Sequence, residues 1–132
     1  MRIALAILWF VASLLKAMSL GDAGSYVTYL FPSIKGALAI ALVSTVCVAE
    51  FVLAVCWIRK PKDVAPNFQL FLSAAFFGVH VLRKIEGLGA PCSCLGKWLS
   101  ISPETGMLLT ACLFLVSLVP NLLKEKKHVK ST

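Results

Sequence analysis

The sequence predicts an all-α integral membrane protein: a four-helix bundle of four transmembrane helices with both termini on the cytoplasmic side. Of its 132 residues, 59% are hydrophobic and 14% are charged, whereas soluble domains are about 45–50% apolar and about 25% charged. The apolar residues form four long runs, and most of the basic residues lie in short clusters at the ends of these runs. Since this length is typical of one domain, residues 1–132 are predicted to form a single transmembrane unit.

The first predicted span covers residues 3–20. At about 1.5 Å per residue this run is ~27 Å long, close to the ~30 Å of a bilayer core. A basic start followed by an apolar run also describes a secretory signal peptide, so cleavage near residues 19–23 is an alternative. Residues 21–35 are predicted to form a turn and then an aromatic-rich segment at headgroup level.

Three further spans follow, at about residues 36–58, 66–82 and 104–123. Asn67 is the expected N-cap of the third span, because a side-chain oxygen there accepts a bond from an N–H of the first turn. Ser102 is the expected cap of the fourth, which has a proline and an acid in its first turn. The basic segment beyond residue 123 is predicted to fray.

The positions of the basic residues predict the orientation. Four spans place eight of the thirteen on the side of the termini, which the positive-inside rule makes cytoplasmic. The loop of residues 85–103 then faces outward, which in a bacterial inner membrane means the oxidising periplasm. The eight are Arg2, Arg59, Lys60, Lys62, Lys124, Lys126, Lys127 and Lys130. Because the basic residues cluster at the ends of apolar runs, they are interpreted as topology signals and not as a face that binds nucleic acid.

The outer loop carries a pair of cysteines, Cys92 and Cys94, in a turn between Gly89 and Gly96. Extended, their α-carbons lie at most ~7 Å apart, and a turn brings them within the range of about 4.4–6.8 Å that a disulfide tolerates. Strained, exposed disulfides are the labile or catalytic ones. The pair therefore predicts thiol–disulfide exchange. The remaining cysteines lie in apolar runs and are predicted to be packing residues: Cys47, Cys56 and Cys112.

Two other interpretations of the pair stay open. In the first, the cysteines form a structural staple in a non-enzymatic assembly factor or transporter-like subunit. In the second, they carry a soft ion such as Cu(I), with His80 as a third ligand. Two thiolates fall short of the four ligands of a structural zinc site, so no metal site is predicted. No cofactor is evident; a quinone is compatible with such chemistry, but the sequence does not indicate one.

Two charged residues lie inside apolar runs, Lys16 in the first and Glu50 in the second. A carboxyl at membrane depth is expected to face the bundle interior and find a partner, or to stay protonated. If the two spans pair end to end, Lys16 and Glu50 are ~15 Å apart in depth, which predicts no contact. Lys16 is then expected to reach the outer surface and, with Arg83 and Lys84, to favour the thiolate form of the cysteines.

Together these features resemble the MauE branch of the MauE/DoxX redox-associated membrane proteins. The resemblance rests on four spans, the lysine near the end of the first, the glutamate inside the second and a C-x-C turn followed by a glycine between the third and fourth. It implies that Lys16, Glu50, Cys92, Cys94 and Gly96 are the motif positions, with the cysteines catalytic and the other three tuning or structural.

The same resemblance implies a function. The family usually has phenylalanine where this chain has Leu95, which keeps the bulk but loses an aromatic contact. MauE is associated with maturation of a periplasmic methylamine dehydrogenase subunit rich in disulfides, and relatives are thought to work beside thioredoxin-like proteins. The implied activity is that of a thiol–disulfide oxidoreductase in the bilayer, exchanging with a thioredoxin-fold partner or an exported client.

Overall fold

The chain is all-helical wherever its structure is described, which confirms the predicted all-α class. A computed structural model describes residues 1–59, 64–85 and 102–130. Five helices account for nearly all of these residues: α1 (Arg2–Met18), α2 (Leu20–Leu30), α3 (Ala37–Arg59), α4 (Val64–Ile85) and α5 (Pro103–Lys130).

Three of the helices are long and apolar enough to cross a membrane: α3, α4 and the part of α5 from Glu104 to Leu123. The pair formed by α1 and α2 meets the same test of length and composition only when the two are counted together as one bent span. The fold therefore fits a membrane protein with three spanning helices, or four if the bent pair is one span.

The first apolar run is not one continuous helix. It ends at Met18, and the chain turns by 89° into α2. Ser19 sits at the break with non-helical backbone angles (φ −133°, ψ 42°), and its Oγ donates to the Leu15 carbonyl at 2.8 Å. A separate second helix follows where the sequence predicted a turn and an interfacial segment.

Packing against α3 explains why the glycine-containing segment is helical. A Cβ on Gly24 would lie 3.3 Å from Cγ1 of Ile40, so the bare glycine lets α2 approach α3 closely. That contact outweighs the low helix propensity of glycine, which costs about 1 kcal/mol relative to alanine. Gly36, in the left-handed region at φ +56°, then reverses the chain just before α3, a conformation that glycine adopts without steric cost.

The predicted boundaries of the later helices are partly right. Ser102 caps α5 as expected, because its Oγ accepts a hydrogen bond from the Thr105 N–H at 3.3 Å. The predicted N-cap of α4 is wrong, since that helix begins at Val64 and Asn67 lies inside it. Asn67 instead accepts a bond from the Asn121 side chain at 3.0 Å, which joins α4 to α5.

Helix α5 is longer than its apolar run. The prediction ended this span at residue 123 with a frayed basic tail, but the helix continues through Pro120 to Lys130. Proline removes one backbone hydrogen bond from a helix interior, and the residues on both sides of Pro120 retain helical geometry.

The helices pack as two antiparallel pairs, α1 with α3 and α4 with α5. Gln69 of α4 joins the pairs: its Oε1 accepts hydrogen bonds from the indole N–H groups of Trp9 (3.1 Å) and Trp57 (2.9 Å). Its Nε2 donates to the Leu113 carbonyl of α5 at 3.2 Å. One buried amide thus ties α1, α3 and α5 to α4, and the apolar core surrounds it.

Several serine and threonine hydroxyls inside the helices form hydrogen bonds within their own helix. Five of them donate to the carbonyl four residues earlier at 2.7–2.9 Å: Ser44, Thr45, Ser73, Thr110 and Ser117. Such bonds remove the cost of placing a hydroxyl in an apolar environment. These five residues therefore need no partner from another helix, whereas a buried charged residue does.

Candidate functional site

The intramembrane charges form one buried ion pair. Lys16 of α1 donates from Nζ to Oε1 of Glu50 on α3. Lys16 is 5% exposed and Glu50 is fully buried. The prediction that these residues lie too far apart for contact is wrong, and Lys16 does not reach the outer surface.

The error lies in the register of α1 against α3. Ser13 donates to the Cys47 carbonyl at 2.8 Å, and the rings of Phe10 and Phe51 lie 6.0 Å apart, so Cys47 lies level with the last turns of α1. Helix α2 connects α1 to α3 and lies at 89° to α1. The start of α3 is therefore not paired with the end of α1. Side chains tilt toward the N-terminus of their helix, which brings Lys16 and Glu50 together across the antiparallel pair.

Aromatic rings and one unused oxygen complete the surroundings of the ion pair. Lys16 Nζ lies 5.0 Å from the centroid of the Phe76 ring, which also stacks on Trp9 with centroids 6.4 Å apart. An ammonium over a ring face is stabilised by the ring quadrupole. Glu50 Oε2 is buried and has no hydrogen-bond partner among the described residues. The carboxylate therefore keeps an acceptor that a proton or another donor can occupy.

A second polar cluster lies where α4 ends and α5 begins. Arg83 is fully buried, with its guanidinium carbon 5.5 Å from the Tyr26 ring and Nη1 3.4 Å from His80 Nδ1. His80 packs on Gly106 so closely that a Cβ at that position would clash with the imidazole ring. His80 thus contacts Arg83 on its own helix and Gly106 on α5.

Three of the predicted site residues, Cys92, Cys94 and Gly96, lie outside the described residues. Their loop follows Ile85, two residues after Arg83, and precedes Ser102, four residues before Gly106. Within the described ranges, no group of three His, Cys, Asp or Glu side chains is placed to hold a metal ion.

The other cysteines lie in the helices as predicted, but they differ in exposure. Cys47 is buried, Cys56 is half-buried and Cys112 is exposed on α5. Only the first packs as a fully buried apolar residue. Cys112 presents its thiol on the outer surface of a helix that is long and apolar enough to span a membrane.

An apolar cavity of about 140 Å³ is lined by Lys16 of the ion pair and by Tyr26, the ring that lies against Arg83. Residues of α1, α2, α3 and α4 form the walls of the cavity. Of the lining residues that the structure describes, Lys16 is the only charged one. Sequence reasoning missed this cavity because α2 was not predicted as a packed helix. The lining residues are Lys16, Ala23, Tyr26, Val27, Leu30, Phe31, Leu42, Val43, Val46, Phe76 and Val79.

The geometry defines a class: an all-helical protein compatible with a membrane, with a buried ion pair and an adjoining apolar cavity. Comparisons with models of known families, with curated proteins and with solved structures find no match to this chain.

Proposed function

We propose that this chain is a membrane-embedded thiol–disulfide redox protein of the MauE type. In this proposal the Cys92/Cys94 loop faces the periplasm from a bacterial inner membrane and exchanges with a thioredoxin-fold partner during maturation of an exported protein. The observation that carries the proposal is the contact between Lys16 and Glu50, the two intramembrane positions on which the resemblance rests.

The contact matters because isolated intramembrane charges are costly. Acidic and basic residues within spans are rare, face the interior and pair with one another, and they mark functional sites by default. Lys16 and Glu50 are 34 positions apart in sequence, and each is the only charged residue in the interior of its apolar run. Their pairing supports the view that these two motif positions act as one unit.

The position of the second cluster adds support. Arg83 and His80 are buried within six residues of the point where α4 ends and the cysteine loop begins. Nearby cations lower the free energy of a thiolate, the nucleophile in exchange. Cys92 follows Ile85 by seven residues, at most ~24 Å of extended chain. We assign the tuning of the thiols to Arg83 and Lys84, and a buried anchoring role to the Lys16–Glu50 pair.

The proposed chemistry is a two-electron exchange between dithiol and disulfide. The thiolate of one cysteine attacks a sulfur of the partner's disulfide; a new S–S bond forms, the partner's S–S bond breaks and its second sulfur leaves as a thiolate. The other cysteine of the pair then attacks the mixed disulfide. The Cys92/Cys94 pair ends as a disulfide, and the partner ends with both sulfurs reduced; the reverse sequence returns the electrons.

Serine substitution tests the exchange. In cells that express Cys92→Ser or Cys94→Ser, one of the two variants is expected to accumulate a mixed disulfide with a thioredoxin-fold protein, because the resolving thiol is gone. Non-reducing electrophoresis and mass spectrometry identify the adduct. The double variant is expected to form none.

Cys112→Ser is the matched control, since it removes an exposed thiol from α5 and leaves the loop intact. It should leave both trapping and cycling unchanged. Two single variants that trap nothing, together with a wild-type pair that never changes oxidation state, would contradict the proposal.

A further inference from the structure

We infer that the end of α5 beyond its apolar run, residues 124–130, binds the headgroups of anionic phospholipids. We call this segment the basic extension. It contains the acidic residue Glu125 and four lysines: Lys124, Lys126, Lys127 and Lys130. Clusters of about four to eight basic residues beside a spanning helix attract anionic lipids. The inference goes beyond the proposed exchange at Cys92 and Cys94 and does not depend on it.

The length of α5 places the basic extension at headgroup depth. The part of the helix that is apolar enough to span a membrane, Glu104–Leu123, has 20 residues. At about 1.5 Å per residue this part is as long as the ~30 Å of a bilayer core. The helix then continues to Lys130, which adds ~10 Å. A bilayer with its headgroups is about 40–45 Å thick, so each headgroup layer is about 5–8 Å deep. The basic extension therefore crosses the layer in which the lipid phosphates lie.

The lysine positions share one side of the basic extension. The helix is continuous to Lys130, and at about 3.6 residues per turn the four lysine positions lie within an arc of about 160°. The remaining arc holds the other three positions: Glu125, His128 and Val129. A topology signal needs only basic residues near the end of a span. A continuous helix with its lysines on one side is therefore a separate indication of a binding surface.

Two exposed arginines lie at the same end of the bundle. Arg2 begins α1 and Arg59 ends α3, and both helices reach this end beyond the tryptophans that bond to Gln69. The bond between the side chains of Asn121 and Asn67, at 3.0 Å, joins α5 to the first turn of α4 just before the basic extension begins. The basic extension thus has a fixed starting point on the bundle and adds its charge to that of the arginines.

Spin-labelled lipids test the inference. The full chain is reconstituted in phosphatidylcholine bilayers, and electron paramagnetic resonance measures how strongly spin-labelled phosphatidylglycerol and phosphatidylcholine associate with it. One cation near an anionic surface improves association about fivefold, so phosphatidylglycerol should associate about fivefold more strongly than phosphatidylcholine at low salt. The preference should fall toward one at ~1 M salt, where the Debye length is about 3 Å.

Two double variants of equal charge locate the effect. Lys126→Gln combined with Lys130→Gln removes two charges from the basic extension. Lys35→Gln combined with Lys84→Gln removes two charges near the start of α3 and the end of α4, at the opposite end of the bundle. The first variant is expected to lower the preference for phosphatidylglycerol at least twofold, and the second is expected to leave it unchanged. Circular dichroism checks that both variants remain helical.

Two results would overturn the inference. Equal association of the two lipids with the wild type would mean that the basic extension does not select anionic headgroups, and would leave an acidic protein surface as its partner. An equal loss of preference in the two double variants would mean that the preference follows the net charge of the chain, with no site at the basic extension.

Discussion

Lys16→Met is expected to destabilise the protein by about 3 kcal/mol, because it leaves the carboxylate of Glu50 buried without its partner. Glu50 is fully buried, and its second oxygen already has no hydrogen-bond partner among the described residues. The chain can lower the cost only by protonating Glu50 or by moving α1 away from α3. The measurement is the free energy of unfolding in mixed micelles of mild and denaturing detergent.

The matched control is Lys16→Met combined with Glu50→Leu. Replacing a buried ion pair with apolar residues of similar volume is often neutral or stabilising, so the double variant should recover most of the loss. If Lys16→Met alone had the same free energy of unfolding as the wild type, breaking the ion pair would not destabilise the protein. That result would contradict the anchoring role assigned to Lys16 and Glu50.

Gln69→Leu is expected to cost about 2–3 kcal/mol, although leucine is apolar and close in size. Hydrogen bonds within membranes are worth about 0.6 kcal/mol on average, yet a buried donor left without a partner costs about 1–3 kcal/mol. The substitution leaves the indole N–H groups of Trp9 and Trp57 unpaired in the core. Unfolding in mixed micelles, followed by far-UV circular dichroism, measures the loss.

A triple variant separates the unpaired donors from the change in shape. Trp9→Phe and Trp57→Phe remove both indole N–H groups, so adding Gln69→Leu to that background should cost much less than in the wild type. An equal cost in the two backgrounds would assign the effect to packing alone. That result would mean that the hydrogen bonds of the Gln69 amide do not hold the two helix pairs together.

The predicted helices agree best with the structure where the prediction depends only on residues that are close together in sequence. Hydrophobic runs of spanning length identified the regions of α3, α4 and α5, and the Ser102 cap followed from its own side-chain chemistry. The register of α1 against α3 could not be predicted in this way, because it depends on α2. That helix forms through packing of Gly24 on Ile40, a contact between residues 16 positions apart.

The same limit explains the residues that sequence reasoning missed. Gln69 is a polar residue in an apolar run, as Glu50 is, and that pattern alone indicates a buried residue that needs a partner. Its partners on three other helices depend on tertiary packing. Gly106 and Tyr26 had no sequence signal of their own: the first is defined by the His80 ring against it, and the second by the cavity that it lines.

The redox state of Cys92 and Cys94 in intact cells is the most direct test of the proposed exchange. Cells are treated with a maleimide that does not cross the inner membrane, and Cys92 and Cys94 are assayed for labelling before and after mild reduction and reoxidation. The proposal predicts cysteines that are labelled from outside when reduced and that move reversibly between dithiol and disulfide. Cysteines that stay oxidised under mild reductant, or that the reagent cannot reach from outside, would contradict it.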